Sequence, residues 1–183
     1  MKDIALTGLA RSGKDSVAAS LVEDHGYVRV AFADTLKDAA LKADPLIPHY
    51  RGEELLNTRL SKVVDLVGWD AAKDDLPEVR RFLQHFGQAI RDIDPRFWVR
   101  SAVDAVHGAS GGRPVVITDV RHHNEVRAVQ DLGFTLIRIE RPGLTPGDHV
   151  SERNTLDFDV DATIVNDGTL DDLAAAASVL VSD

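Results

Sequence analysis

The chain has 183 residues, 44% of them hydrophobic and 28% charged, with a formal net charge of −9. This suits one soluble globular domain with a sizeable core, and the negative balance argues against a nucleic-acid polymer as partner. There is no cysteine, so a disulfide framework and a Cys-ligated zinc site are excluded. No apolar stretch has the length of a membrane span, and the N-terminus lacks a signal-peptide pattern. The expectation is a cytoplasmic protein with no membrane partner.

The first element in chain order is an apolar strand, Ile4–Thr7, followed by Gly8-Leu9-Ala10-Arg11-Ser12-Gly13-Lys14-Asp15-Ser16 and a helical run over Val17–Val22. Strand, glycine-bounded loop and helix form the context of a phosphate-binding loop. Backbone N–H groups wrap the phosphate, the helix N-terminus adds partial positive charge, and Lys14 can reach the β- and γ-phosphates. The position after the lysine usually supplies a hydroxyl to Mg²⁺; here it holds Asp15, and the hydroxyl follows at Ser16. Asp15 can ligate Mg²⁺ or cap the helix. A dinucleotide fingerprint is not met, because Ala10 stands where its second glycine belongs.

Further strands are expected at Val28–Phe32, Val115–Thr118, Thr135–Ile139 and Ala162–Val165, separated by helical patterns. The fold class is therefore α/β, a five-stranded, mostly parallel sheet in a three-layer arrangement. One domain covers residues 1–183, with a helical insertion after the second strand over roughly residues 33–113. Helices are expected there at Asp34–Ala43, Glu53–Val67, Pro77–Asp92 and Phe97–His107, with a surface loop over Ala71–Leu76 and a turn at Ser110–Gly112. Such an insertion suits a cap that closes on substrate, a cover for the sheet, or both. Thr169 is expected to cap a final helix that packs through Leu170, Leu173, Ala174 and Ala177.

Asp119 ends the third strand, at the carboxyl edge where parallel sheets bind ligands. It can hold Mg²⁺ beside the loop, or it can cap the next helix. Arg121 and Arg127 follow; on a mobile lid over roughly 120–130 they would clamp a transferred phosphoryl group, and on a fixed surface they would only pair with acids. His122 and His123 suit capping or exposure better than metal binding. Asp34 and Lys37 share a helical face, where they can bind an acceptor or pair with each other. Gln84, Gln88 and Arg91 share another, opposite apolar Phe82, Phe86 and Ile90. Trp98 can stack on a base or pack. Arg141, Asn166 and Gly168 follow the last two strands and are candidates for the donor nucleotide, Arg141 by stacking on a purine. Pro142-Gly143 reads equally as a tight turn. His149, Ser151 and Glu152 are open between capping and catalytic roles.

Taken in order, these segments resemble the phage-type deoxynucleoside monophosphate kinases. The loop resembles their G-x-x-R-S-G-K-D-[ST] motif, in which an Asp after the lysine is expected. Phe32-Ala33-Asp34-x-Leu36-Lys37, Leu83-Gln84-x-Phe86-Gly87-x-x-x-Arg91, Phe97-Trp98-Val99, Asp119-Val120-Arg121-x-x-Asn124-Glu125, Arg141-Pro142-Gly143, Asp148-His149 and Ser151-Glu152 are also similar. The resemblance implies a P-loop nucleoside monophosphate kinase-like fold. It implies transfer of the γ-phosphoryl group of ATP to a deoxynucleoside 5′-monophosphate with Mg²⁺. It also implies a homodimer and, for a phage-encoded chain, the host cytoplasm. Within the loop, Arg11 joins Lys14 and Arg121 as candidate catalytic cations. Kinases of phosphomevalonate or dephospho-coenzyme A share parts of the pattern. A nucleotide-binding regulatory module without an acceptor is the reading from another class, although a guanine-specific N-K-x-D motif is missing.

Overall fold

The computed structural model describes residues 1–109, 111–145 and 153–182, the side chain of Ser182 excepted. His149, Ser151 and Glu152, and the Asp148-His149 motif, lie outside the described residues. In chain order the elements are β1 (Ile4–Thr7), α1 (Lys14–His25), β2 (Val28–Val30), α2 (Phe32–Ala43), β3 (Leu46–Arg51), β4 (Glu54–Arg59), α3 (Leu60–Asp75), α4 (Pro77–Ile93), α5 (Phe97–Ala109), β5 (Val115–Val120), α6 (His123–Asp131), β6 (Thr135–Glu140), β7 (Ala162–Val165) and α7 (Leu170–Ser182). They form two compact units, Met1–Phe32 with Val99–Asp183, and Ala33–Trp98.

In the first unit five strands pair in the order β2-β5-β1-β6-β7, every pair parallel. Alternation sorts their side chains onto two faces. Ile4, Leu6, Val116, Ile137, Ile139 and Ile164 pack with Val17, Ala18 and Leu21 of α1 and Leu173 and Ala177 of α7. Ala5, Val115, Ile117 and Leu136 point the other way, toward Ala102 and Val106 of α5 and Val126 and Val129 of α6. A sheet buried on both faces gives the expected three layers. β1 is central, and the chain leaves it toward β2 but leaves the neighbouring β6 toward β7. Connections therefore part at the carboxyl ends of β1 and β6, the topological switch where open α/β sheets bind ligands.

β2 stops at Val30 rather than continuing to Phe32, because the Phe32 amide donates to Asp119 Oδ1 at 2.8 Å and opens α2. At the other end of the unit, Thr169 caps α7 as expected: its amide and hydroxyl donate to Asp172 Oδ2, and its hydroxyl accepts from the Asp172 amide. The Thr169 hydroxyl, then its amide, hold the Asp172 carboxyl below its usual range.

The second unit corrects the expected all-helical insertion. It is narrower, ending at Trp98, and contains the antiparallel hairpin β3–β4. Gly52 (φ +65) and Glu53 make its two-residue turn between the paired Arg51 and Glu54, with glycine first as a II′ turn requires. The helix expected over Glu53–Val67 therefore begins only at Leu60. The loop expected over Ala71–Leu76 is instead mostly the end of α3, which kinks at Gly68 (φ 77, ψ 168). The core of this unit joins Ala40, Ile47, Leu60, Val63, Ala72, Val79 and Leu83. Phe82 and Phe86 stack at 5.4 Å on the flank of this core.

Trp98 is part of that construction. It is 3% exposed, and its indole N–H donates to the Gly87 carbonyl at 3.0 Å. A Cβ at Gly87 would already press on Leu36 at 3.2 Å. Base stacking by Trp98 is accordingly corrected: burial and the need to satisfy the indole N–H have fixed the ring inside the unit. Trp98→Phe should lower unfolding free energy by about 1–2 kcal/mol in a urea titration. An unchanged midpoint would show that the bond to Gly87 contributes nothing.

Candidate functional site

The loop after β1 is held in a conformation that only its own residues allow. Gly8 (φ +137) and Gly13 (φ +108) occupy left-handed space, as does Arg11 (φ +63). A Cβ on Gly8 would collide with the Ile139 carbonyl, and one on Gly13 would lie 2.6 Å from Asn166 Nδ2. Both glycines are thus required by close approach as well as by φ. Inside the loop the Ser12 amide bonds to the Leu9 carbonyl at 3.3 Å, and the Val17 amide to the Gly13 carbonyl at 3.0 Å.

Gly13 caps α1 without any side-chain bond to the helix amides, which leaves the dipole end of the helix directed at the loop. Ser12 is 1% exposed, and its hydroxyl is buried with no hydrogen-bond partner. A buried unsatisfied hydroxyl costs stability unless a ligand completes it. Lys14 is 7% exposed; its ammonium folds back to the Gly8 carbonyl (3.0 Å) and the Leu9 carbonyl (2.6 Å). Asp15 and Ser16 are exposed in the first turn of α1. These features fit a tetrahedral anion: a helix N-terminus without a side-chain cap, a hydroxyl in need of a partner and a buried ammonium.

A cavity of about 270 Å³ adjoins the loop. Gly8, Leu9 and Ser12 line one side, and Arg138, Ile139 and Glu140 of β6 the floor. Arg141–Leu144, Thr155, Leu156 and Val165 complete it. It lies at the β1/β6 switch. Arg141-Pro142-Gly143-Leu144 form a tight turn, with Leu144 N bonded to Arg141 O at 3.3 Å and Gly143 at φ +83; proline second and glycine third suit a type II turn. The turn and the cavity wall are the same residues, so both expectations for this segment meet.

Asn166 and Gly168 are placed differently from Arg141. The Asn166 amide side chain donates to the Ser12 carbonyl at 2.8 Å, and its backbone N–H to Glu140 O at 2.6 Å. Asn166 therefore braces the loop from the end of β7. Gly168 lies beyond the cavity lining, against Asp172.

β5 brings Asp119 beside the start of the loop: Thr7 pairs with Val120, and the Thr7 hydroxyl donates to the Val120 carbonyl at 2.9 Å. One oxygen of Asp119 holds the Phe32 amide. Arg121 follows, half-buried. The segment over 120–130 is the end of β5 and the capped helix α6, with Val126 and Val129 in the core. Glu125 is 2% exposed and accepts from the amides of Arg121 (2.8 Å) and His122 (3.0 Å). The His122 ring accepts from the Glu125 amide, completing a capping box. Arg127 is exposed on α6.

The acceptor candidates belong to the second unit. Lys37 Nζ is 3.9 Å from Asp34 Oδ1 and 6.0 Å from the Trp69 ring. Gln88 donates to Asp92 at 2.6 Å, and Arg91 is half-buried. Sequence reasoning missed Arg138, Thr155 and Leu156 as lining residues. The available signal was a charged residue inside an otherwise apolar strand, Leu136-Ile137-Arg138-Ile139, which a doubly covered parallel strand does not ordinarily carry.

The model of the deoxynucleotide monophosphate kinase family matches residues 63–176, more than half of the chain. The chain is 30% identical over 189 residues to a protein of Acanthamoeba polyphaga mimivirus whose name carries deoxynucleotide monophosphate kinase as a provisional assignment; the match spans 92% of this chain and 90% of that one. It is 26% identical over 230 residues to the deoxynucleotide monophosphate kinase of Enterobacteria phage T4, spanning 94% and 95% of the two. The family match begins after the phosphate loop, whereas the match to the mimivirus protein spans 92% of the chain. The chain belongs to the deoxynucleotide monophosphate kinase family.

Proposed function

We propose that this protein transfers the γ-phosphoryl group of ATP to a deoxynucleoside 5′-monophosphate, producing ADP and a deoxynucleoside diphosphate. Family membership supports the reaction and the acceptor class. The observation that carries the donor site is the Gly8–Ser16 loop, with its buried unpartnered Ser12 hydroxyl and the Lys14 ammonium on loop carbonyls.

The γ-phosphoryl group moves through a loose transition state, so the protein's part is positioning and charge compensation. Lys14 exchanges two neutral carbonyls for anionic phosphate oxygens, which bind an ammonium more strongly. Ser12 Oγ–H and the first amides of α1 donate to phosphate oxygens. Arg121 and Arg11 are the remaining catalytic cations in this reading. Arg121 leaves a backbone fixed by Glu125, so its guanidinium is held ready to meet charge on the equatorial oxygens. Arg141 and its turn pack on the nucleoside of ATP. Asp34, Lys37, Gln88 and Arg91 are assigned to the acceptor, and Asp34 needs no general-base role because a phosphate acceptor is already ionised. Arg127, exposed on α6, is assigned with Arg121 to a lid over 120–130 in this reading.

Mg²⁺ fits the hard oxygen donors Asp15, Ser16 and Asp119. Among the described residues no three His, Cys, Asp or Glu side chains cluster as a protein-only cage; Mg²⁺ commonly binds through one or two carboxylates together with substrate phosphates. When bound, the ion would offset phosphate charge. A homodimer and a cytoplasmic location remain part of the proposal. Among the described residues no helix is long and apolar enough to cross a membrane.

ADP release with Mg·ATP, measured against a panel of deoxy- and ribonucleoside monophosphates, phosphomevalonate and dephospho-coenzyme A, tests the assignment. Stimulation by deoxynucleotides is expected; stimulation only by a non-nucleotide would replace the acceptor, and none with ATP still bound would favour a regulatory module. Lys14→Ala should abolish turnover while its circular-dichroism melt stays cooperative, and near-normal turnover would sink the loop's role. Arg121→Ala should lower kcat by about 10³-fold, the scale of a phosphoryl-clamping arginine; an effect on melting temperature alone would make it structural. Asp15→Ala should raise the Mg²⁺ concentration for half-maximal rate, whereas an unchanged Mg²⁺ titration would leave Asp15 as a helix-terminal charge only.

A further inference from the structure

Arg138 sits in the interior of β6, paired in register with Thr7 of β1 and Thr163 of β7. Its side chain is 15% exposed. Its Nη2 donates to the carbonyls of Thr155 (3.3 Å), Leu156 (3.2 Å) and Phe158 (2.6 Å). Two N–H groups thus serve three acceptors. Nη1 lies 3.9 Å from the half-exposed Glu140 carboxylate, a long and partly screened pairing. Nε is buried with no partner. Satisfying the guanidinium does not explain this arrangement, since one of its donors is left unmet. Holding the three carbonyls does.

Those carbonyls belong to a tight stretch in which Leu156 N bonds to Arg153 O and Asp157 N to Asn154 O. Phe158 anchors the far end of the stretch in the core, edge-on to His123 at 5.1 Å. Thr155 and Leu156 line the cavity beside the phosphate loop, as Arg138 itself does. Ser12 Oγ and Arg138 Nε are the two buried side-chain polar atoms without partners among the described residues, and both residues line that cavity.

We propose that Arg138 is a positioning residue for the donor nucleotide: by clamping the Thr155–Phe158 backbone it fixes the cavity wall against which the nucleoside packs. This rests on the assignment of the cavity to ATP made above. Arg138 acts through Thr155 and Leu156 and takes no part in the transfer itself. Its loss raises the KM for ATP and leaves the chemical step and the acceptor untouched, the signature of lost ground-state binding.

The test compares Arg138→Met and Arg138→Lys with the wild-type protein in steady-state kinetics and in amide hydrogen exchange without nucleotide. R138M should raise the KM for ATP about tenfold, the scale of lost charge-assisted bonds, with kcat within about threefold and the acceptor KM unchanged. R138K should fall between, because one ammonium cannot span three carbonyls as a guanidinium does. Exchange should accelerate at residues 155–158 and not across the sheet. An unchanged KM for ATP, a fall in kcat with KM intact, or acceleration spread over the whole first unit would each overturn the proposal. Should R138M fail to fold, R138K carries the same comparison. A wild-type protein that turns over but has an R138K indistinguishable from it refutes the positioning role alone. A wild-type protein that neither binds nor uses ATP refutes the donor assignment and this proposal together, while the exchange data still decide the clamp.

Discussion

The close approach of two strand ends, those of β6 and β7, to the loop after β1 governs this molecule. Gly8 lies against the Ile139 carbonyl of β6, and Gly13 against the Asn166 side chain at the end of β7. Neither position has room for a methyl group, and both need φ values that L residues avoid. The loop is thereby fixed before any ligand arrives. Preorganisation of this kind is where phosphoryl-transfer proteins gain rate, since reorganisation during the reaction would cost barrier height. The strand order depends on the same contact. β1 must be central and β6 beside it for the loop to be clamped from that side, and that neighbourhood is also the topological switch at which the cavity opens.

Charge is arranged against the overall balance. A chain of net charge −9 repels an anionic nucleotide at long range, but screening confines that field to about 8–10 Å in physiological salt. Within that distance the loop offers Lys14, Arg11 and the amide end of α1. Lys14 donates to two loop carbonyls, those of Gly8 and Leu9, and these bonds order the ammonium beside the loop.

Local sequence rules carried much of the fold. Alternation in Ile4-Ala5-Leu6 and Leu136-Ile137 assigns opposite faces, and the structure places those side chains in two separate cores. Thr169 capping and the turn at Pro142-Gly143 follow from side-chain chemistry within a few residues, so they too were legible. The misses need information from elsewhere in the chain. Glu53–Val67 has helical spacing after Leu60, and the pairing of Leu46–Arg51 with Glu54–Arg59 overrides it before that point. Trp98 carries no sign in sequence of the Gly87 carbonyl that receives its N–H. Arg138 reads as an intruder in an apolar strand until the carbonyls of Thr155, Leu156 and Phe158 are seen around it.

The backbone that carries Arg121 is fixed by a side chain four residues further on. Its backbone amide and that of His122 share one buried carboxylate oxygen of Glu125, and α6 beyond them is anchored by Val126 and Val129. An arginine on a flexible strap loses backbone as well as side-chain freedom when it clamps a ligand, roughly 1–2 kcal/mol for each residue ordered. Here the backbone part of that cost has been met in folding. Glu125, close in sequence to Arg121, bonds to the main chain of Arg121 and His122. The same division recurs at Asn166, which binds the Ser12 carbonyl, and at Arg138. In each case a polar side chain bonds to backbone and so fixes the main chain around the loop and its cavity.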